Sequence, residues 1–364
     1  MTDISSKQLF QRQTTLSELG ESGQQILQQA KVTVVGCGGL GSVAAIYLAG
    51  SGIGNIHLVD FDVVDVSNLH RQVFYKIEDI GKPKTEVLAK YIQSISPFVK
   101  VTFSTVAVSK NNAVDVIEAS EIVLDCTDNL PIKYLLNDTC VLQNKALIYG
   151  SLYKFDGYAA TFNMIQENGK RTANLRDAFP EIPTEHIPNC SELGTLNTIV
   201  GIIGLMQANE VLKVVTGIGK PLINQLLIYN SLDNSQFVMK LKPQFDKEKI
   251  AAIFENESYE TEACEIDESL EISQLDFKVM LSKNTSSLKI ISVIEEVNQE
   301  IPFQVSEKIP LSIFQKWIDK QEAINDEIVI ICQRGIMSLT AAKIVKEKFP
   351  EADVKSLKDG IIAI

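Results

Sequence analysis

Residues 34–41 read Val-Val-Gly-Cys-Gly-Gly-Leu-Gly, which sets Gly36, Gly38 and Gly41 in G-x-G-x-x-G spacing between a β-rich run (31–36) and a helix-period run (38–50). Glycine costs about 0.5–1 kcal/mol where a regular element could use alanine, so three at this spacing imply a sharp turn and close packing. Strand, glycine turn and helix together aim free N–H groups and the positive end of a helix dipole at a phosphate. Asp60 closes the next β-rich run (55–60), 19 residues beyond Gly41. A carboxylate there accepts hydrogen bonds from ribose hydroxyls.

Further β-rich runs at 99–104, 121–125 and 146–150 alternate with helical patterns at 83–95 and 129–144. The alternation predicts an α/β fold: a Rossmann-like, mostly parallel sheet with helices on both faces. At 157–163 and 224–242 the pattern changes to strands joined by short turns, an antiparallel extension. Between them, 170–195 is a long loop rich in Pro, Asn and Glu, a length that points to function. It leads into an apolar helix from about 198 to 215. Residues 246–276 hold eleven Asp or Glu against two Lys. That composition predicts a solvated linker (246–267) between a first domain, 1–245, and a smaller α/β domain, 268–364. The second domain has β-like runs at 288–294, 327–332 and 352–357 and a helix over 337–348.

A formal net charge of -12 argues against nucleic acid and anionic membrane as partners. The start, MTDISSKQLF, lacks the basic and apolar regions of a secretory signal. The most apolar run, IVGIIGLM at 199–206, is far shorter than the roughly 20 residues that cross a bilayer. We therefore expect a cytoplasmic location. The six cysteines (37, 126, 140, 190, 264, 332) form no C-x-x-C pair, and the chain has three histidines. Neither a disulfide framework nor a zinc site is expected from them.

Beyond the glycines, DFDVVDVSNLHRQ (60–72) delivers Asn68 and Arg71, and GKPKTE (81–86) delivers Lys84 at a helix start. Two cations and an amide exceed what a dinucleotide requires but suit a triphosphate with charge growing on a leaving pyrophosphate. LDCTDN (124–129) adds Asp128 beyond the fourth strand, where a carboxylate can hold Mg²⁺ against phosphate oxygens, with Asn129 beside it. Far downstream, ICQRGIMS (331–338) places Cys332 at a strand end, followed by Gly335 and Ser338 at a helix start. Such a loop points backbone N–H groups at the sulfur and stabilises an anionic persulfide, with Arg334 adding to the field.

With FQRQ (10–13), VVGCGGLGS, DFDVVDVSNLHRQ, GKPK and DCTDN in that order, residues 8–242 resemble the MoeB/ThiF/HesA family, bacterial relatives of ubiquitin-activating enzymes. The resemblance implies adenylation of the C-terminal glycine of a ubiquitin-like sulfur carrier by ATP. It implies Gly39 and Asp60 at the nucleotide, Asn68, Arg71 and Lys84 around the phosphates and Asp128 on magnesium. It also implies Arg12 reaching into the neighbouring site of a homodimer, and Cys190 forming a covalent intermediate or shuttling sulfur. Many members bind zinc through two C-x-x-C pairs, and the matching regions here, 172–179 and 240–249, hold no cysteine.

Residues 268–364 resemble a rhodanese-like domain, although its Asp-Val-Arg reads Ser292-Val-Ile294 and Met337 precedes the closing serine. The combined resemblance implies that a persulfide on Cys332 turns the adenylate of a MoaD-like carrier into a thiocarboxylate for molybdenum cofactor biosynthesis, a cysteine desulfurase supplying the sulfur. The same chemistry on ThiS, for thiamine, is the sister reading. A dinucleotide-dependent oxidoreductase and a noncatalytic carrier-binding scaffold are the alternatives of another class.

Overall fold

A computed structural model describes residues 4–166, 168–183, 194–259, 270–283, 288–294, 301–324, 326–333, 335–358 and 360–361. The chain divides into two units, Met1–Glu260 and Thr261–Ile364. In the first, strands β1 (Lys31–Val35), β2 (Asn55–Val59), β3 (Lys100–Ser104), β4 (Ile122–Asp125), β5 (Ala146–Tyr153), β6 (Asp156–Phe162), β7 (Gln225–Asn230) and β8 (Gln236–Lys240) make one sheet in the order β3-β2-β1-β4-β5-β6-β7-β8. The first five pair in parallel and the last three antiparallel, as the hydropathy pattern predicts. Every residue of β4 is buried, and β1 is buried after Lys31, as befits strands covered on both faces.

Helices α1 (Gly39–Gly50), α2 (Lys84–Ile95) and α3 (Leu130–Leu142) supply the crossovers that carry the site. Helix α4 (Asn197–Thr216) packs on α1 and on β5 and β6. Its 20 residues correct the shorter apolar run read from sequence, for it is long and apolar enough to cross a bilayer. Its two buried polar residues are nevertheless satisfied inside the protein: Gln207 donates to the Asp125 carbonyl (2.7 Å), and Glu210 accepts from Thr161 Oγ1 (2.6 Å) and the Leu222 N–H (2.7 Å).

The expected linker begins too early. Lys247–Asn256 is a helix, α5, capped by Asp246, whose carboxylate accepts from the Lys249 N–H (3.0 Å). Ile250 is fully buried, α5 packs on α3, and Tyr259 donates to the Asp138 carboxylate (2.5 Å). Lys110 donates to the Glu255 and Glu257 carbonyls, a cation where a helix C-terminus favours one. The first unit thus keeps the residues up to 259, because one apolar stripe survives in an acidic segment.

In the second unit β9 (Glu271–Ile272), β10 (Leu288–Ser292), β11 (Glu307–Lys308), β12 (Glu327–Ile331) and β13 (Val354–Leu357) form an all-parallel sheet in the order β11-β10-β12-β13-β9. Helices α6 (Gln274–Lys283) and α7 (Leu311–Asp319) lie outside the pattern read from sequence. Helix α8 (Ile336–Lys348) follows β12 directly.

Candidate active site

Strand order in the first sheet reverses at β1, so the loops after β1, β2 and β4 open at neighbouring strand ends, the place where open α/β sheets bind ligands. Gly36 leaves β1 with φ 90°, and a Cβ there would lie 2.7 Å from the Cys126 carbonyl oxygen. A Cβ on Gly41 would lie 1.8 Å from the Gly36 oxygen. These two glycines are required by backbone packing. Gly38 caps α1 and has room, with Gln72 Nε2 as the nearest atom at 3.5 Å, whereas a Cβ on Gly39 would strike Val200 of α4 at 2.3 Å.

Asp60 is fastened to this loop, its Oδ2 accepting the Cys37 N–H (2.6 Å) and its Oδ1 the Asp62 N–H (2.8 Å). Burial raises its carboxyl above the usual range, against the pull of those two hydrogen bonds. Each oxygen retains a lone pair for a ribose hydroxyl. Tyr75 donates to the Cys37 carbonyl (2.6 Å) and holds the turn from below. Burial also drives the Cys37 and Cys126 thiols well up, so both stay protonated packing groups.

Arg71 is half-buried, and its guanidinium donates to the Ser67 carbonyl (2.9 Å), four residues back. Among the described residues it has no carboxylate partner, which leaves its charge for an anion. Asn68, also half-buried, supplies the backbone carbonyl that accepts the Arg71 (3.0 Å) and Gln72 (2.9 Å) N–H groups and closes the turn. Lys84 is buried at the start of α2 and pairs with Asp62 (2.8 Å), a carboxylate that sequence reasoning missed. Asp62 is half exposed, at 51%, so the pair opens toward solvent. Arg12 sits on a short helix, Gln11–Thr14, exposed and unpaired among the described residues.

Asp128 is exposed beyond β4, with no hydrogen-bond or ion-pair partner among the described residues. A free carboxylate oxygen at a strand end fits a hard cation such as Mg²⁺. Asn129 is already engaged as the cap of α3, accepting from the Ile132 N–H (3.1 Å). Beneath this loop lies a second group absent from the sequence expectation: Asp125 and Lys133, both buried, with Lys133 Nζ 3.2 Å from each carboxylate oxygen and donating to the Gly150 carbonyl at 2.7 Å. Asp125 in turn accepts from the Thr127 N–H (3.1 Å) and Oγ1 (2.7 Å), which fixes the loop that presents Asp128. The i, i+8 spacing of the pair carries no helical or strand signal that would have found it.

Where zinc pairs fall in the resembling family, residues 174–177 and 244–245 are joined by other means. Asn174 Nδ2 donates to the Phe245 carbonyl (2.8 Å), and Asp177 Oδ1 accepts the N–H groups of Gln244 (2.6 Å) and Phe245 (3.1 Å). Asp177 Oδ2 also accepts the Asn174 N–H (2.9 Å). A carboxylate committed to amides, with no cysteine beside it among the described residues, does not fit a structural zinc site. Cys190 and Arg334 lie outside the described residues.

In the second unit Cys332 leaves β12 and is 1% exposed. Its Sγ accepts from the Gly335 N–H (3.1 Å) and the Ser338 N–H (3.3 Å), and Ser338 Oγ lies 3.3 Å away. Gly335, with φ 87°, makes the turn into α8. Two backbone N–H groups thus point at the sulfur from the glycine turn and the start of α8.

Fold and site together define an α/β nucleotide-binding enzyme that carries a separate sulfur-holding domain. The model of the ThiF family matches residues 10–250, and the chain belongs to that family. The "Probable adenylyltransferase/sulfurtransferase MoeZ" of Mycobacterium tuberculosis is 32% identical over 361 residues, covering 97% of this chain and 91% of that protein. The "Sulfur carrier protein adenylyltransferase" of Thermus thermophilus is 40% identical over 227 residues, 62% of this chain and 84% of that one. The "Adenylyltransferase and sulfurtransferase MOCS3" of Drosophila grimshawi is 31% identical, covering 97% and 83%. Among solved structures, E. coli MccB with ATP superimposes with a TM-score of 0.50 at 24% identity, over 61% of this chain and 66% of that one, a likeness of fold.

Proposed function

We propose that the protein adenylates the C-terminal glycine of a ubiquitin-like sulfur carrier of the MoaD type and passes sulfur to it from Cys332, in molybdenum cofactor biosynthesis. What carries the reading is the set of groups at the neighbouring ends of β1, β2 and β4: a glycine turn, Asp60 and, among the described residues, an arginine without a counter-ion and an unpaired Asp128, in a chain that also cradles a cysteine sulfur. Full-length similarity to proteins named adenylyltransferase/sulfurtransferase supports both halves together.

The carboxylate of the carrier attacks the α-phosphorus of ATP and pyrophosphate leaves. Asp60 holds the ribose, the α1 N-terminus and Gly38 receive a phosphate, and Arg71 and Lys84 meet the charge that grows on the leaving group. Mg²⁺ held by Asp128 would neutralise part of that charge. A carboxylate is a poor electrophile until it carries AMP. The outer sulfur of a Cys332 persulfide then attacks the acyl carbon and displaces AMP, giving an acyl disulfide. An external thiol attacks the Cys332 sulfur, releasing the thiocarboxylate and leaving a mixed disulfide that a second external thiol reduces, and Cys190 is the candidate for a covalent carrier intermediate or a sulfur shuttle. A cytoplasmic homodimer completed by Arg12 of the second copy, a cysteine desulfurase as sulfur source and the polar clasp at Asn174 and Asp177 in place of zinc complete the proposal.

The test is incubation with ATP, Mg²⁺, thiosulfate as sulfane sulfur donor, a dithiol reductant and a carrier ending in Gly-Gly, with a MoaD-type and a ThiS-type carrier as separate arms. Pyrophosphate exchange that depends on the carrier and exchange of its terminal oxygen for sulfur, seen by mass, are expected with the first. No exchange with either carrier overturns the reading.

A further inference from the structure

We propose that Ser356 is a positioning residue for sulfur transfer: its hydroxyl takes over the Gly335 carbonyl so that Ser338 is free to donate to the Cys332 thiolate. The inference rests on the sulfur-transfer reading of Cys332. Ser338 Oγ carries one proton and has two acceptors in reach, the Gly335 carbonyl at 2.9 Å and Cys332 Sγ at 3.3 Å. The Gly335 carbonyl already accepts the Leu339 N–H (3.1 Å), which leaves it one further lone pair. Ser356, on β13 and fully buried, stands 2.9 Å from Ser338 Oγ and 3.3 Å from the Gly335 oxygen. Its single proton therefore reaches either.

Two arrangements satisfy these groups, and they differ only by rotation of hydroxyls. With a neutral thiol, S–H donates to Ser338 Oγ, Ser338 donates to Gly335, and Ser356 donates to Ser338. With a thiolate, Ser338 turns to the sulfur and Ser356 turns to Gly335. Sγ then accepts three donors among the described residues: two backbone N–H groups and one hydroxyl. Loss of Ser356 weighs unequally on the two states. In the thiol form it takes a donor from a hydroxyl oxygen that still accepts the S–H. In the thiolate form it takes the donor from a buried carbonyl whose other side-chain donor has just left. The thiolate is the form that attacks a sulfane sulfur and the form that leaves when the persulfide is discharged, so Ser356 acts on both half-reactions without touching sulfur.

The experiment uses the full chain, with Ser338→Ala, Ser356→Ala and the double variant. Alkylation of the Cys332 peptide by iodoacetamide is followed across pH by mass spectrometry. In parallel, thiosulfate serves as donor and cyanide as acceptor: Cys332 thiolate takes the sulfane sulfur and releases sulfite, and cyanide removes it as thiocyanate and restores the thiolate. A lost hydrogen bond is worth a fraction of a pH unit to about one, so Ser356→Ala should raise the pH of half-maximal alkylation by about half a unit. Thiocyanate formation at neutral pH should fall by roughly threefold where the thiolate limits the rate. In the Ser338→Ala background, Ser356→Ala should add nothing, since it acts through Ser338. An unmoved half-point in Ser356→Ala, with Trp317 fluorescence as in the parent, overturns the proposal. So does a shift that persists in full without Ser338. A parent that forms no thiocyanate overturns the sulfur-transfer reading instead, while the alkylation profile still decides the role of Ser356.

Discussion

Lys133→Met isolates one charge in the buried pair beneath the Asp128 loop. Methionine keeps the length and apolar stem of the side chain, so packing near Tyr149, whose ring centroid lies 5.1 Å from Nζ, is largely retained. What goes is the ammonium that bridges both Asp125 oxygens and the Gly150 carbonyl. Removing one partner of a buried ion pair costs about 3–5 kcal/mol, because the other charge is stranded. Asp125 is fully buried but keeps two donors from Thr127, which puts the expected loss near the lower end, about 3 kcal/mol. That is a large share of the roughly 5–15 kcal/mol that holds a domain together. Adding Asp125→Asn removes the stranded charge and keeps an acceptor for Thr127, and should restore about 1–2 kcal/mol. The assay exploits the placement of fluorophores: the chain's single Trp is Trp317 in the second unit, and its nine Tyr all precede residue 260. Urea unfolding read by hydrogen exchange of β4 and β5 amides should move, while the Trp317 transition stays in place. A Lys133→Met chain within about 1 kcal/mol of the parent, or a double variant less stable than the single, would refute the argument from a stranded charge.

Asp128→Ala should lower carrier-dependent pyrophosphate exchange by about 100-fold or more while urea unfolding matches the parent, because the side chain is exposed and unpaired among the described residues. Asp177→Ala should cost about 1–3 kcal/mol by leaving the Gln244 and Phe245 amides without their acceptor, and a chelator should leave the parent's melting temperature unchanged. A chelator-induced fall in melting temperature would replace the polar clasp with a metal. Gly41→Ala drives a methyl to 1.8 Å from the Gly36 oxygen, so ATP binding, measured by calorimetry, should be lost together with stability of the first unit.

The parallel core was legible because strands buried on both faces must be apolar runs, as β1, β4 and β12 are. Helix α5 was not, because an average over 246–276 counts charge and misses Ile250, Phe254 and Tyr259 on one side. Within the site, the glycines and Asp60 announced themselves by spacing, whereas Asp62 and Lys133 act through pairings that only the tertiary fold creates. The two sites share one local device: a parallel strand ends, a glycine with φ near 90° reverses the backbone, and a helix begins, at Gly36 in one unit and at Gly335 in the other. Both turns hold a buried cysteine, and their different uses follow from what the N–H groups face. At the first turn the Cys37 N–H is taken by Asp60 while burial keeps the thiol protonated, so Gly38 and the α1 N-terminus are left for an anion from outside. At the second turn the N–H groups of Gly335 and Ser338 close on the cysteine sulfur itself. The same strand–glycine–helix geometry therefore leaves amides open to an external anion in one unit and encloses an internal sulfur in the other, depending on which atom its amides face.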